Sequence, residues 1–168
     1  FDINKAIYYF NLAADQGNIS EAQYNLGLIY NTFEYGYYNI QKSIEYYEKA
    51  AKQGNSGAQF NLAMIFESDQ FGVKNLSKSL YYLIQAANNN SASAQFNLGI
   101  HYYDENNDKF FDIKNAVLYL TLAASNDHPK AQFFLGYIYS DGKYIKRDIQ
   151  KAIHYYKEAS NKSIPEAQ

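Results

Sequence analysis

At 168 residues, with a formal net charge of −2 and no cysteine, the chain is long enough for a sizeable core and excludes disulfides, thiolate zinc centres and a cysteine nucleophile. Basic and acidic residues are interspersed rather than blocked, which leaves no electrostatic footprint for nucleic acid, and no run of about 18 apolar residues is present to insert into a membrane. Aromatics make up 18% of the chain, as 19 Tyr and 11 Phe without Trp, so the core must be built largely from rings, many with a polar tip.

Asp2 followed by Ile3, Lys5 and Ala6 reads as an N-cap and first turn, and predicts a helix over about 3–15 that closes on Ala13-Ala14. A second helix is expected over about 20–31, where Ala22, Leu26, Ile29 and Tyr30 fall at helical spacing. After a loop carrying Gly36, a third runs over about 40–53, with Ile40, Ile44, Tyr47 and Ala51 on one stripe and Glu45, Glu48, Lys49 and Lys52 largely opposite. From there the chain repeats itself. The same patterns predict helices over about 56–67, 76–89, 92–104, 113–126, 129–140 and 149–161.

The period is carried by three landmarks. Ala-Gln recurs at Ala22, Ala58, Ala94, Ala131 and Ala167, spaced 36, 36, 37 and 36 residues apart. Ala13-Ala14, Ala50-Ala51, Ala86-Ala87, Ala123-Ala124 and Ala159-Ser160 keep the same period, as do the capping residues Asp2, Asn39, Asn75, Asp112 and Asp148. One helix pair cannot bury its apolar face alone, so the pairs must stack. The expected fold is all-α, an α-solenoid of antiparallel helix pairs wound as a right-handed superhelix. Residues 1–19 form the second helix of a truncated repeat, 20–55, 56–91, 92–128 and 129–164 form four full repeats, and 165–168 open another. Because the chain starts at Phe1 without Met and stops on Ile164-Pro165-Glu166-Ala167-Gln168, both in mid-pattern, it is expected to be a piece of a longer protein, and no compartment is indicated.

Small residues recur at Gly27, Ala63, Gly99 and Gly136, where helix axes can approach while rings fill the flanking space. Tyr9, Tyr46, Tyr82, Tyr119 and Tyr155 share one position and Tyr30, Phe66, Tyr102 and Tyr139 another, and both are assigned to packing.

The segments Ala22–Tyr30, Ala58–Phe66, Ala94–Tyr103 and Ala131–Tyr139, each followed by a loop, a short Asp/Asn-led helix start and a closing Ala-Ala, resemble the Sel-one-like repeat family, a relative of tetratricopeptide repeats. Residues 139–160 follow that pattern most closely. The chain departs from it at Ala63, where Gly is usual, and in the glycine-free loop of the third repeat, which carries Asn106 and Asn107 instead. The resemblance implies a non-catalytic scaffold or adaptor that binds a protein or peptide segment on a concave face. It implies no cofactor and no catalytic residue.

Candidate chemistry is sparse. His101, His128 and His154 share no metal-ligand spacing, and the acidic cluster Asp104, Glu105 and Asp108 lacks the ordered ligands and central Gly of a calcium loop. If first helices line the inner face, Asn25, Asn61 and Asn97 hold one equivalent position, taken by Phe134 in the fourth repeat. Such a ladder suits an extended peptide, whose backbone it can both donate to and accept from, or else serves the fold itself. Glu21, Asn31, Glu67, Tyr103 and Lys130 vary between repeats and are the candidates for specificity. The alternatives are an architectural spacer, an end-to-end self-association module, or a regulatory region attached to a catalytic domain such as a kinase outside this segment.

Overall fold

The computed structural model describes residues 2–106 and 110–163, so Asn107, Asp108 and the Pro165–Gln168 stretch expected to open a further repeat lie outside the described residues. Among the described residues the regular structure is helical throughout: α1 (Ile3–Asp15), α2 (Ser20–Asn31), α3 (Ile40–Lys52), α4 (Ser56–Glu67), α5 (Leu76–Asn88), α6 (Ala92–Tyr103), α7 (Ile113–Ser125), α8 (Pro129–Asp141) and α9 (Ile149–Ser163). Two compact units result, Phe1–Asn89 and Asn90–Gln168. Each is an all-α stack in which neighbouring helices pack in chain order.

Capping fixes where the helices start. Asp2, Asn39, Asn75, Asp112 and Asp148 each accept, through the side chain, the amide three residues on, at 3.0–3.1 Å. The first helices are capped by Asn55, Ser91 and His128, whereas Ile19 in the same position offers no side-chain bond.

The joints between repeats share one geometry. Asn18, Gly54, Asn90 and Asp127 adopt left-handed φ values of 46, 84, 62 and 63°. Around Gly54 the bonds are those of a Schellman cap: Gly54 N–H to Ala51 O at 3.0 Å and Asn55 N–H to Ala50 O at 3.2 Å. Asn55 thus ends one helix and caps the next. His128 repeats this in the second unit, its N–H donating to Ala123 O at 3.0 Å.

Inside each repeat the small-residue position is pressed against the second helix. A Cβ on Gly136 would stand 2.8 Å from the Tyr156 ring, and one on Gly27 would overlap the fully buried Tyr47. Beside it the two aromatic positions stack: Tyr30 on Tyr46, Phe66 on Tyr82, Tyr102 on Tyr119 and Tyr139 on Tyr155, with centroids 5.8–6.0 Å apart and planes within 11°. Lys42, Lys78 and Lys151 lie over the first-helix ring of three of these pairs at 4.9–5.1 Å. The tyrosine hydroxyls then reach back one repeat, Tyr46 donating to Asn11 Oδ1 at 3.0 Å.

Gln23, Gln59, Gln95 and Gln132 of the Ala-Gln landmarks are buried, although sequence reasoning gave them no role. Gln59 Nε2 donates to Ala51 O at 3.0 Å, the carbonyl closing the preceding second helix, while Gln59 Oε1 accepts from Asn89 Nδ2 at 2.9 Å, at the end of the following one. Gln23 does the same with Ala14 and Gln53, and Asn126 Nδ2 donates to Gln95 Oε1 at 2.9 Å. Gln23 and Gln59 therefore each tie the ends of two successive second helices. Their apolar Ala neighbours seat the same spot by packing.

Candidate functional site

The core stripe of each first helix is spent on its neighbours, with Ala22, Leu26 and Ile29 of α2 and Ala58, Leu62 and Ile65 of α4 buried. The residues just off that stripe are less deeply buried. In the first unit these include Leu28, 39% exposed, and Met64, half-buried; in the second, Ile100, half-buried, and Tyr137, 43% exposed. All four hold one repeat position. It is apolar every time, yet it lies outside the buried core.

Three residues earlier on the same helices stand Asn25, Asn61, Asn97 and Phe134, all half-buried. The ladder is not uniform. Asn61 Nδ2 donates to the Tyr47 hydroxyl at 3.1 Å, whereas the buried Asn31 Oδ1 has no partner among the described residues. Burial foremost pushes that phenol up to about 12. At that ring position the other repeats carry Phe10, Leu83, Leu120 and Tyr156, of which Tyr156 alone has a hydroxyl.

Among the remaining specificity candidates, Glu21 and Glu67 are exposed at opposite ends of α2 and α4 and are not brought together; Glu21 Oε2 accepts from Asn55 Nδ2 at 3.3 Å. Tyr103 packs edge-on against Phe134 at 5.1 Å and Tyr144 at 5.9 Å, and its burial raises the phenol pKa. Lys130 is exposed in the first turn of α8. It borders a hollow of about 590 Å³ lined also by Phe96, Phe133, Phe134 and Tyr156. In the first unit the corresponding surface, Tyr24, Tyr47, Ala50 and Ala51, lies beneath α4, whose Gly57 Cβ position is 3.1 Å from the Tyr24 ring.

The loops add one clasp. Lys143 Nζ meets both Glu105 oxygens at 2.9 and 2.8 Å; that bond raises the lysine and lowers the carboxyl, while both stay exposed. Of the acidic cluster, Glu105 is thus taken by a lysine, Asp104 Oδ1 accepts from Asn106 N–H at 3.0 Å, and Asp108 is outside the described residues. His154 lies 3.6 Å from Glu158, His101 packs beside Phe110, and His128 caps α8. Among the described residues, no group of three His, Asp or Glu side chains is placed to hold a metal ion, and no helix is long and apolar enough to cross a membrane.

A family model described as Sel1 repeat matches residues 2–18, 20–55, 56–91, 92–128 and 129–163. The chain belongs to the Sel1 repeat family. Among solved structures it is similar to a Sel1 repeat protein from Oxalobacter formigenes, at 30% identity and TM-score 0.83, over 97% of this chain and 66% of that one. It is also similar to c5321, a protective antigen of uropathogenic Escherichia coli with an SLR fold, at 32% identity and TM-score 0.79, over 94% of this chain and 33% of that one. A putative Sel1 repeat protein from Klebsiella pneumoniae shares the fold at 24% identity and TM-score 0.60, over 92% of this chain and 73% of that one. The chain therefore spans about two thirds and one third of the length of the first two. No curated protein matches it.

Sel1 repeats form helical solenoids that generally serve as protein-interaction scaffolds and are typically non-catalytic. In this Sel1 chain the scaffold is held by the glutamine ties, ring stacks and caps.

Proposed function

We propose that this Sel1 array is a non-catalytic adaptor that binds a peptide or protein segment along the exposed faces of its first helices. The observation that carries the reading is the repeat position held by Leu28, Met64, Ile100 and Tyr137, apolar in every full repeat and outside the buried core. An apolar anchor beside an amide at Asn25, Asn61 or Asn97 gives hydrophobic affinity and backbone recognition together. Glu21, Asn31, Glu67, Tyr103 and Lys130 would then discriminate between partners. Protein is favoured over nucleic acid because the net charge is −2 with both signs interspersed.

Peptides selected on this chain from a random display library test the reading. They should carry apolar anchors, and Leu28→Ser or Tyr137→Ser should weaken them about tenfold with an unchanged melting temperature. Selected peptides that bind both variants as tightly as the parent would place the site elsewhere.

A second reading, self-association, is favoured by α1. Tyr8 and Tyr9 are 60% and 64% exposed, whereas the counterparts of Tyr9 each stack on a first-helix ring. Light scattering checks it: a strict monomer at high concentration rejects association, and a dimer dissolved by Tyr9→Ser supports it.

A further inference from the structure

His128 stands where Asn55 and Ser91 stand in the earlier repeats, and it caps with a titratable atom. Its Nδ1 accepts the Ala131 N–H at 3.2 Å, sharing that amide with its own carbonyl at 3.1 Å; its ring stacks on Phe96 with centroids 4.7 Å apart and planes at 21°, and its own N–H closes α7 on the Ala123 carbonyl. The acceptor lone pair exists only on the neutral imidazole. We propose that His128 is a pH-responsive latch at the joint of α7 and α8: neutral, its Nδ1 caps α8; protonated, it lets go of that cap.

Three physical effects oppose the proton in the closed joint. Capping consumes the nitrogen that would take it. The N-terminus of α8 carries the positive end of the helix dipole, with no acidic residue in its first turn to offset it. Burial, and then the Lys130 charge, hold the imidazole below its ordinary 6.5. The groups facing it are the Phe96 ring from α6, the Ala123 carbonyl from α7 and Lys130 from α8, with Asp127 preceding it in the chain.

A folded value below the unfolded one means that the unfolded joint binds more protons between the two. The contribution of His128 is therefore complete above about pH 6.5 and is lost as the pH falls from there towards the folded value. Asn55 and Ser91 do not titrate, which confines the effect to this joint.

Amide hydrogen exchange, followed by NMR between pH 7.5 and 5 and corrected for intrinsic exchange, tests the proposal. Protection of the Ala131 amide should fall about tenfold on acidification while that of Ala58, capped by Asn55, holds. In His128→Asn, and independently in His128→Ser, both amides should behave alike. An acid loss that persists in those variants, or parent Ala131 protection independent of pH, overturns the latch.

Discussion

Gly27 lies against the ring of Tyr47 with no room for a side chain between them, and Tyr47 is fully buried and cannot move aside. At the equivalent positions of the next repeat stand Ala63 and Leu83, a larger small residue opposite a smaller large one. Gly27→Ala should therefore destabilise by about 1–3 kcal/mol from overpacking, in spite of the helix propensity that alanine gains. In the Tyr47→Leu background the same change should cost less, with a coupling of about 1–2 kcal/mol in a urea denaturation cycle. Additive costs would show that the pair does not share the space.

The buried glutamines give a graded series. Gln59→Ala leaves the Ala51 carbonyl with Gly54 N–H alone, removes the partner of the Asn89 amide and empties a buried site, and should cost about 2–4 kcal/mol. Gln132 ties only one way: its Nε2 reaches Ala124 O at 3.3 Å, while its Oε1 is buried without a partner among the described residues. Gln132→Ala should consequently cost about 1 kcal/mol less than Gln59→Ala. Urea denaturation midpoints of the two variants check the order.

Alkaline stability should report Tyr47. Its folded value of about 12 lies above the ordinary 10.0, so the folded chain holds that proton more tightly. The resulting stabilisation is complete below pH 10 and is lost as the pH rises towards 12. Tyr82, also pushed up to about 12 by burial and then by Glu48, acts in the same window. Urea midpoints should fall between pH 10 and 12 in the parent and less steeply in Tyr47→Phe. Equal slopes would assign the loss to other tyrosines.

Much of this was legible in the chain because the repeat period samples each position four or five times. The small-residue and aromatic positions could be paired with packing before any coordinates, since spacing alone puts them on the buried stripes. What stayed hidden were relationships set by side-chain reach across a joint. Gln59 meets Asn89 over 30 residues, and Asn61 meets Tyr47 through a hydroxyl that Leu83 and Leu120 lack. The equivalence of Asn25, Asn61 and Asn97 in sequence thus conceals different surroundings. The apolar position of Leu28, Met64, Ile100 and Tyr137 was visible as a repeat, but only its exposure separates it from the core.

Among the described residues, Ile19 is the one first-helix cap position without a capping atom, and it offers the simplest gain in stability. Its φ of −81° and ψ of 116° match the extended geometry of Asn55, at −65° and 106°, so an asparagine needs no backbone change. Asn55 accepts from Ala58 N–H at 2.9 Å, and the counterpart donor for residue 19 is Ala22 N–H. Half of the Ile19 side chain is exposed, so little burial is lost. Ile19→Asn should raise stability by about 0.5–2 kcal/mol, and Asn55→Ile should lower it by a similar amount. Thermal denaturation of both variants checks the pair. A loss at position 19 would mean that Ile19, packed beside Gly17, contributes more to the joint as a hydrophobic staple than a cap would.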